Sequence, residues 1–153
     1  MLAGCGPNVP DDDSATIGND AIVQNDLMTN DSMAGDLSGY VGQYPFDEVA
    51  GIAFRNHPLV RTALAQAGGD NAPVDRILNG TGPSTPIATA EDGRILSWGC
   101  EQHNCGPHNW TLLVAADGSS PELCYHDEDA TPATVWLVDG RPTDRSGECP
   151  SGS

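Results

Sequence analysis

Apolar residues follow one texture up to about residue 84 and another beyond it. In the first part, Pro58 can open a helix, because the N–H it lacks would be unpaired there anyway. Val60, Ala63, Leu64 and Ala67 then recur at helical spacing, and Gly68-Gly69 ends the run. Asp70-Asn71-Ala72-Pro73 is expected to cap a second short helix through Val74, Ile77 and Leu78, closed by Asn79-Gly80. Just upstream, Phe46, Val49, Ala50, Ile52 and Phe54 fit neither the helical nor the strand period. They are expected to form a short helix or an irregular segment over the core.

Beyond residue 84 the runs shorten and turn residues punctuate them. Apolar stretches at residues 87–90, 94–98, 110–116, 123–126 and 133–138 read as strands. Asp92-Gly93, Asp117-Gly118 and Asp139-Gly140 mark turns between or after them. The spacing predicts an α+β domain: an antiparallel β-meander of about five strands with the short helices packed on one face. Trp98, Trp110 and Trp136 are expected to pack the core and the sheet faces rather than stack on a ligand.

Residues 1–39 are different again. They hold seven Asp, no Lys or Arg and no aromatic residue, in a stretch rich in Asn, Ser and Gly. Such a segment buries too little apolar area to offset the entropy of ordering it, so it reads as a disordered acidic tether. The chain therefore divides into a spacer, residues 1–39, and a domain, residues 40–153. Leu2-Ala3-Gly4-Cys5 resembles a bacterial lipobox, with the Cys5 thiol as the acylation site. The charged and apolar parts of a signal peptide are not present ahead of it, so this reading expects an export signal upstream of Met1. Gly6 after the acylated cysteine, where Asp would favour inner-membrane retention, points to the outer membrane and a domain facing the periplasm.

Charge narrows the partners. Six basic residues, all Arg, oppose 22 acidic ones, for a net charge of −16. Residues 40–153 alone carry six Arg against 15 acids, or −9, so the domain is acidic without its tether. No cationic patch offsets phosphate charge, which excludes nucleic acid, and a membrane is met only through the lipid anchor. A basic protein is the favoured partner, because long-range attraction raises the encounter rate. No apolar run approaches the roughly 20 residues of a membrane-spanning helix.

If Cys5 is acylated, Cys100, Cys105, Cys124 and Cys149 remain, an even set with three pairings open. Cys100 and Cys105 enclose four residues in a Gly-flanked loop and are natural partners, which leaves Cys124 with Cys149. By the loop-entropy relation the two bridges would stabilise by about 2 and about 3.5 kcal/mol. Disulfides also imply an oxidising compartment, consistent with the cell envelope. The smaller ring has mostly a local effect. Between the strands ending at Trp98 and starting at Trp110 runs Gly99-Cys100-Glu101-Gln102-His103-Asn104-Cys105-Gly106-Pro107-His108, with almost nothing apolar in it. It is expected to protrude into solvent and to present Glu101, Gln102, His103 and Asn104 on a stiff ring, its ordering entropy removed before any partner arrives.

Cys-x-x-His-x-Cys-Gly between two strands, after a helical first half, resembles the exposed loop of the inhibitor of vertebrate lysozyme (Ivy) family. The matching positions are Cys100, His103, Cys105 and Gly106, and the resemblance extends over about residues 40–150. It implies a lysozyme inhibitor that acts by plugging a glycosidase cleft and is not itself an enzyme. His103 would bond the two catalytic carboxyl groups, with Glu101, Gln102, Asn104 and His108 as a rim. Glu101, Gln102 and Asn104 stand where the family has Lys, Pro and Asp, which implies weakened or redirected inhibition. No cofactor is implied.

Other chemistries compete for the same residues. Cys100, His103, Cys105 and His108 could ligate zinc, but structural zinc sites usually draw their ligand pairs from two separate knuckles. A thiol oxidoreductase would need Cys-x-x-Cys at a helix N-terminus. A hydrolase would need one of the nucleophile or metal motifs that this chain lacks. His126-Asp127-Glu128-Asp129 reads as a solvated turn and His57 as a helix-start residue. An envelope lipoprotein that docks a protein through the loop without inhibiting it is the alternative of another class.

Overall fold

A computed structural model describes residues 36–152. Cys5 and the expected spacer as far as residue 35 lie outside the described residues. The domain is α+β, with a six-stranded antiparallel sheet, a two-stranded sheet and short helices. The strands of the large sheet pair strictly in sequence order. They are β3 (Ala88–Thr89), β4 (Ile95–Cys100), β5 (His108–Val114), β6 (Glu122–Asp127), β7 (Thr134–Val138) and β8 (Arg141–Pro142). The meander therefore has one strand more than the apolar runs imply. β8 is two residues long and returns from Asp139-Gly140, where both residues have positive φ (49° and 72°). That is the backbone requirement of a two-residue hairpin turn, and Asp-Gly meets it.

α1 (Pro58–Gly68) and α2 (Val74–Asn79) follow the predicted spans. His57 caps α1, its Nδ1 accepting from the Leu59 N–H at 3.2 Å. Val60, Ala63, Leu64 and Ala67 face inward, one side of a 3.6-residue period. Asp70 and Asn71 do not cap α2. Its N-cap is Pro73, with no side-chain bond, and Asn71 donates instead to the Gly140 carbonyl. The irregular apolar segment is a hairpin, β1 (Glu48–Val49) with β2 (Ile52–Ala53), followed by a 3₁₀ turn at Phe54–Asn56. Ala50 and Gly51 both adopt positive φ in its turn. Of this segment Phe54 reaches the core, while Phe46 and Ile52 stay exposed.

Both faces of the sheet are covered, by different means. On one face, Ile95, Trp110, Leu112, Val114, Leu123 and Leu137 pack with the inward side of α1 and with Leu78 of α2. Leu37 belongs to this core as well. It is fully buried and its N–H donates to the Ala116 carbonyl, so the fold takes in a residue that composition assigns to the spacer. On the other face, Leu96, Leu113, Cys124 and Trp136 form a second apolar cluster, with Trp98 partly buried against it. A C-terminal strap, residues 143–152, lies over that cluster. The Cys124–Cys149 disulfide pins it, the Thr111 hydroxyl donates to the Pro150 carbonyl at 2.7 Å, and the Trp136 indole N–H donates to the Gly147 carbonyl at 3.2 Å. Arg145 on the strap lies 3.6 Å over the Trp136 ring and pairs with Glu122 at 3.0 Å, an acid that Arg94 also meets at 3.0 Å. Trp110 and Trp136 thus serve packing, as expected, and Trp98 packs against the second cluster with part of its ring uncovered. Among the described residues no helix is long and apolar enough to cross a membrane.

Candidate functional site

β4 and β5 pair up to Cys100 opposite Asn109, and the loop 101–107 leaves the sheet there. Cys100, the last residue of β4, is buried, and its disulfide to Cys105 joins Cα atoms 4.8 Å apart. One half of the bridge is therefore embedded in the sheet edge and the other holds the far side of the loop. The pairing takes both thiols away from the four-ligand zinc set, because a metal needs thiolates.

Within the ring the chain makes a tight turn over residues 101–104. The Asn104 N–H donates to the Glu101 carbonyl at 3.0 Å, and the Asn104 side-chain N–H₂ donates to the Glu101 carboxylate at 2.8 Å. His103 occupies the third position of this turn with φ +62°, in the left-handed region. Histidine is among the few non-glycine residues enriched there. The result is an apex of two exposed side chains, Gln102 and His103. No hydrogen bond or ion pair among the described residues holds the His103 imidazole. Gln102 is met by the Thr81 hydroxyl at 3.3 Å.

Glu101 and Asn104 are not part of that outward display. Both are half-buried, and they bond to each other beneath the apex. The hydrogen bond from Asn104 holds the Glu101 carboxyl below its ordinary value, against desolvation, and His108 and Arg76 add attraction. Its negative charge is thus engaged inside the loop. His108 also departs from the rim role. It opens β5 opposite Asp127, with its side chain 13% exposed and its Nε2 3.7 Å from the Asp127 carboxylate. Its Nδ1 is buried without a hydrogen-bond partner. Among the described residues, His108, Asp127 and Asp129 bring one ligand atom each within 4.8 Å of one another, a group that could hold a metal ion.

Neighbouring segments hold the loop from both sides. On one side the segment after α2 runs against the end of β4, with the Cys100 N–H donating to the Pro83 carbonyl at 3.0 Å. The approach is so close at Gly82 that a Cβ there would lie 1.9 Å from the Cys100 carbonyl oxygen and 2.7 Å from the Gln102 nitrogen. On the other side the Glu128 N–H donates to the Pro107 carbonyl at 2.9 Å, and the Asn109 side chain donates to the Cys105 carbonyl at 2.9 Å. Backbone atoms cannot yield as flexible side chains do, so Gly82→Ala is expected to force the loop root aside. Its cost is about 2 kcal/mol or more by the measure of overpacked sites. Thermal melting and the amide resonances of residues 100–105 check this; a variant with both unchanged would refute the close approach.

The sequence pointed to the bridge and the outward His103. It missed the Glu101–Asn104 clamp and the Gly82 buttress. The signals were present, a carboxylate and an amide three residues apart and a Gly80-Thr81-Gly82-Pro83 run without side-chain bulk at its glycines, but each acquires meaning only from the backbone path. No protein-family model, no curated protein and no solved structure matches the chain.

Proposed function

We propose that the chain is an inhibitor of a lysozyme-type peptidoglycan glycosidase, of the Ivy kind, and that His103 enters the target's catalytic cleft. One observation carries this reading: an unpaired, exposed imidazole stands at the apex of a turn that a disulfide, a backbone bond and a side-chain bond all restrain. Glycosidases of this class cleave between two carboxyl groups. A protonated imidazole can donate from both ring nitrogens and so bridge two such groups. Bonds to ionised partners are about twice as strong as neutral ones. Because the loop is restrained before contact, little ordering entropy remains to oppose binding.

The internal engagement of Glu101 bears on the family comparison. A carboxylate facing the target's two acids would repel them, whereas one spent on Asn104, with His108 and Arg76 nearby, is directed at its own loop. The net charge of −16 suits a strongly basic lysozyme, which would be drawn in at long range. In this reading Cys5 carries the lipid anchor, and the domain faces the periplasm from the outer membrane of a bacterial envelope. The test is a cell-wall lysis assay with an animal-type lysozyme, titrated with the purified protein. Dose-dependent loss of lysis is expected, and unchanged lysis at saturating protein would contradict the proposal.

A further inference from the structure

We propose that the cleft between the root of the His103 loop and the C-terminal strap is a seat for a guanidinium group, an arginine side chain of the glycosidase partner. The partner's identity rests on the reading above; the chemistry of the seat does not. The cleft, of about 290 Å³, is lined by Trp98, Gly106, Asn109 and His126 on the sheet side and by Glu148, Cys149 and Ser151 of the strap. It opens on the sheet face that the strap covers elsewhere, and Gly106 places it at the foot of the loop that bears His103.

The ligand class follows from what the molecule does three strands from Trp98. Trp98 pairs across to Thr111, Thr111 to Cys124, and Cys124 to Trp136, so the two indoles stand in one row on one face. Over Trp136 the chain lays its own Arg145, 3.6 Å from the ring, with the Glu122 carboxylate 3.0 Å from the guanidinium. An indole face attracts a cation through its quadrupole, and a carboxylate completes the pair. Trp98 and Glu148 line the cleft with the same two groups, and none of the six arginines lines it. Asn109 spends its side-chain N–H₂ on the carbonyls of Cys105 and Gly106, which leaves the oxygen of that amide as an acceptor. His126 likewise has its Nδ1 engaged, with the Thr134 hydroxyl at 2.8 Å. Glu148 is the one carboxylate lining the cleft, and a planar cation with several N–H donors is the complement.

Two readouts test the seat separately from the inhibitory reading. In the first, N-acetyl-arginine amide is titrated into the protein against sodium chloride of equal ionic strength, with the Trp98 indole resonance observed by NMR. The resonance is expected to move with the amide alone in wild type, and to move much less in Glu148→Gln. In the second, inhibition of an animal-type lysozyme is measured. Glu148→Gln is expected to weaken it about 3- to 5-fold, and Glu148→Lys about 10-fold or more through like-charge repulsion. Trp98→Phe, which keeps an aromatic ring in the packing, is expected to weaken it less than Glu148→Lys, with melting close to wild type. An unmoved Trp98 resonance would overturn the seat. So would Glu148→Lys inhibiting as well as wild type while a His103 variant fails to inhibit. If wild type itself does not inhibit lysozyme, the functional reading fails and the arginine titration alone decides the cleft.

Discussion

His103→Asn is expected to lose inhibition by about 100-fold or more while the protein melts as wild type does. The magnitude is that of a central interface residue, about 3 kcal/mol. Asparagine is the informative substitution because φ at this position is +62°. Asparagine visits the left-handed region readily, whereas most other side chains there cost about 1–2 kcal/mol. His103→Ala would therefore mix the loss of the imidazole with a distorted turn. With Asn the Glu101–Asn104 clamp and the Cys100–Cys105 bridge persist, and only the group that bridges two carboxyl groups is gone. Inhibition constants from the lysis assay, set beside melting curves, check the separation. A His103→Asn protein that inhibits like wild type would remove the imidazole from the account.

The second large effect concerns stability. Replacing Cys124 and Cys149 together by serine is expected to cost about 3.5 kcal/mol from loop entropy. For a domain of this size that corresponds to a fall in Tm of roughly 15 °C. The bridge closes a loop of sequence separation 25 and fastens the strap over Trp136, Leu96 and Leu113. Without it the strap keeps the bonds to Pro150 and Gly147 and the Arg145 stack, each worth about 1 kcal/mol. The variant should therefore fold but expose Trp136 earlier on heating, visible as a fluorescence change ahead of the main transition. Removal of the Cys100–Cys105 bridge is expected to cost less stability and more inhibition. Its ring is short, so its removal costs about 2 kcal/mol by the same relation, yet it loosens the turn that presents His103. A Cys124/Cys149 double serine variant with an unchanged Tm would contradict the role given to the strap.

The elements that could be read ahead of the structure are those whose side chains repeat. α1 is bounded by Pro58 and Gly69, and its Val60, Ala63, Leu64 and Ala67 return on one face, so period and punctuation agree. The central strands β4 to β7 coincide with apolar runs between turn residues. What escaped lacks repetition. β1, β2 and β8 are two residues each, too short for any period, and exist because Ala50-Gly51 and Asp139-Gly140 adopt positive φ. The strap carries no apolar pattern at all. It covers its face with backbone carbonyls, one disulfide and Arg145 laid on an indole, so hydropathy gives no sign of it.

The candidate site divides the same way. The spacing of Cys100 and Cys105 announced the ring, and the polar run between them announced exposure. That Glu101 and Asn104 would turn inward and His108 would join Asp127 depends on strand register and on a four-residue turn. Single-residue polarity is silent about both. The Glu148 and Trp98 cleft is further from view, since its walls come from β4, β5, β6 and the strap, with Trp98 and Ser151 lying 53 residues apart at the extremes.

Competition for the target cleft tests the central claim most directly. An animal-type lysozyme is assayed with a fixed amount of the protein and a rising concentration of a chito-oligosaccharide that fills the catalytic cleft, with complex formation followed by a lysozyme-side signal. Mutually exclusive binding is expected, the oligosaccharide displacing the protein in proportion to its own occupancy. A ternary complex of lysozyme, oligosaccharide and this protein would contradict it.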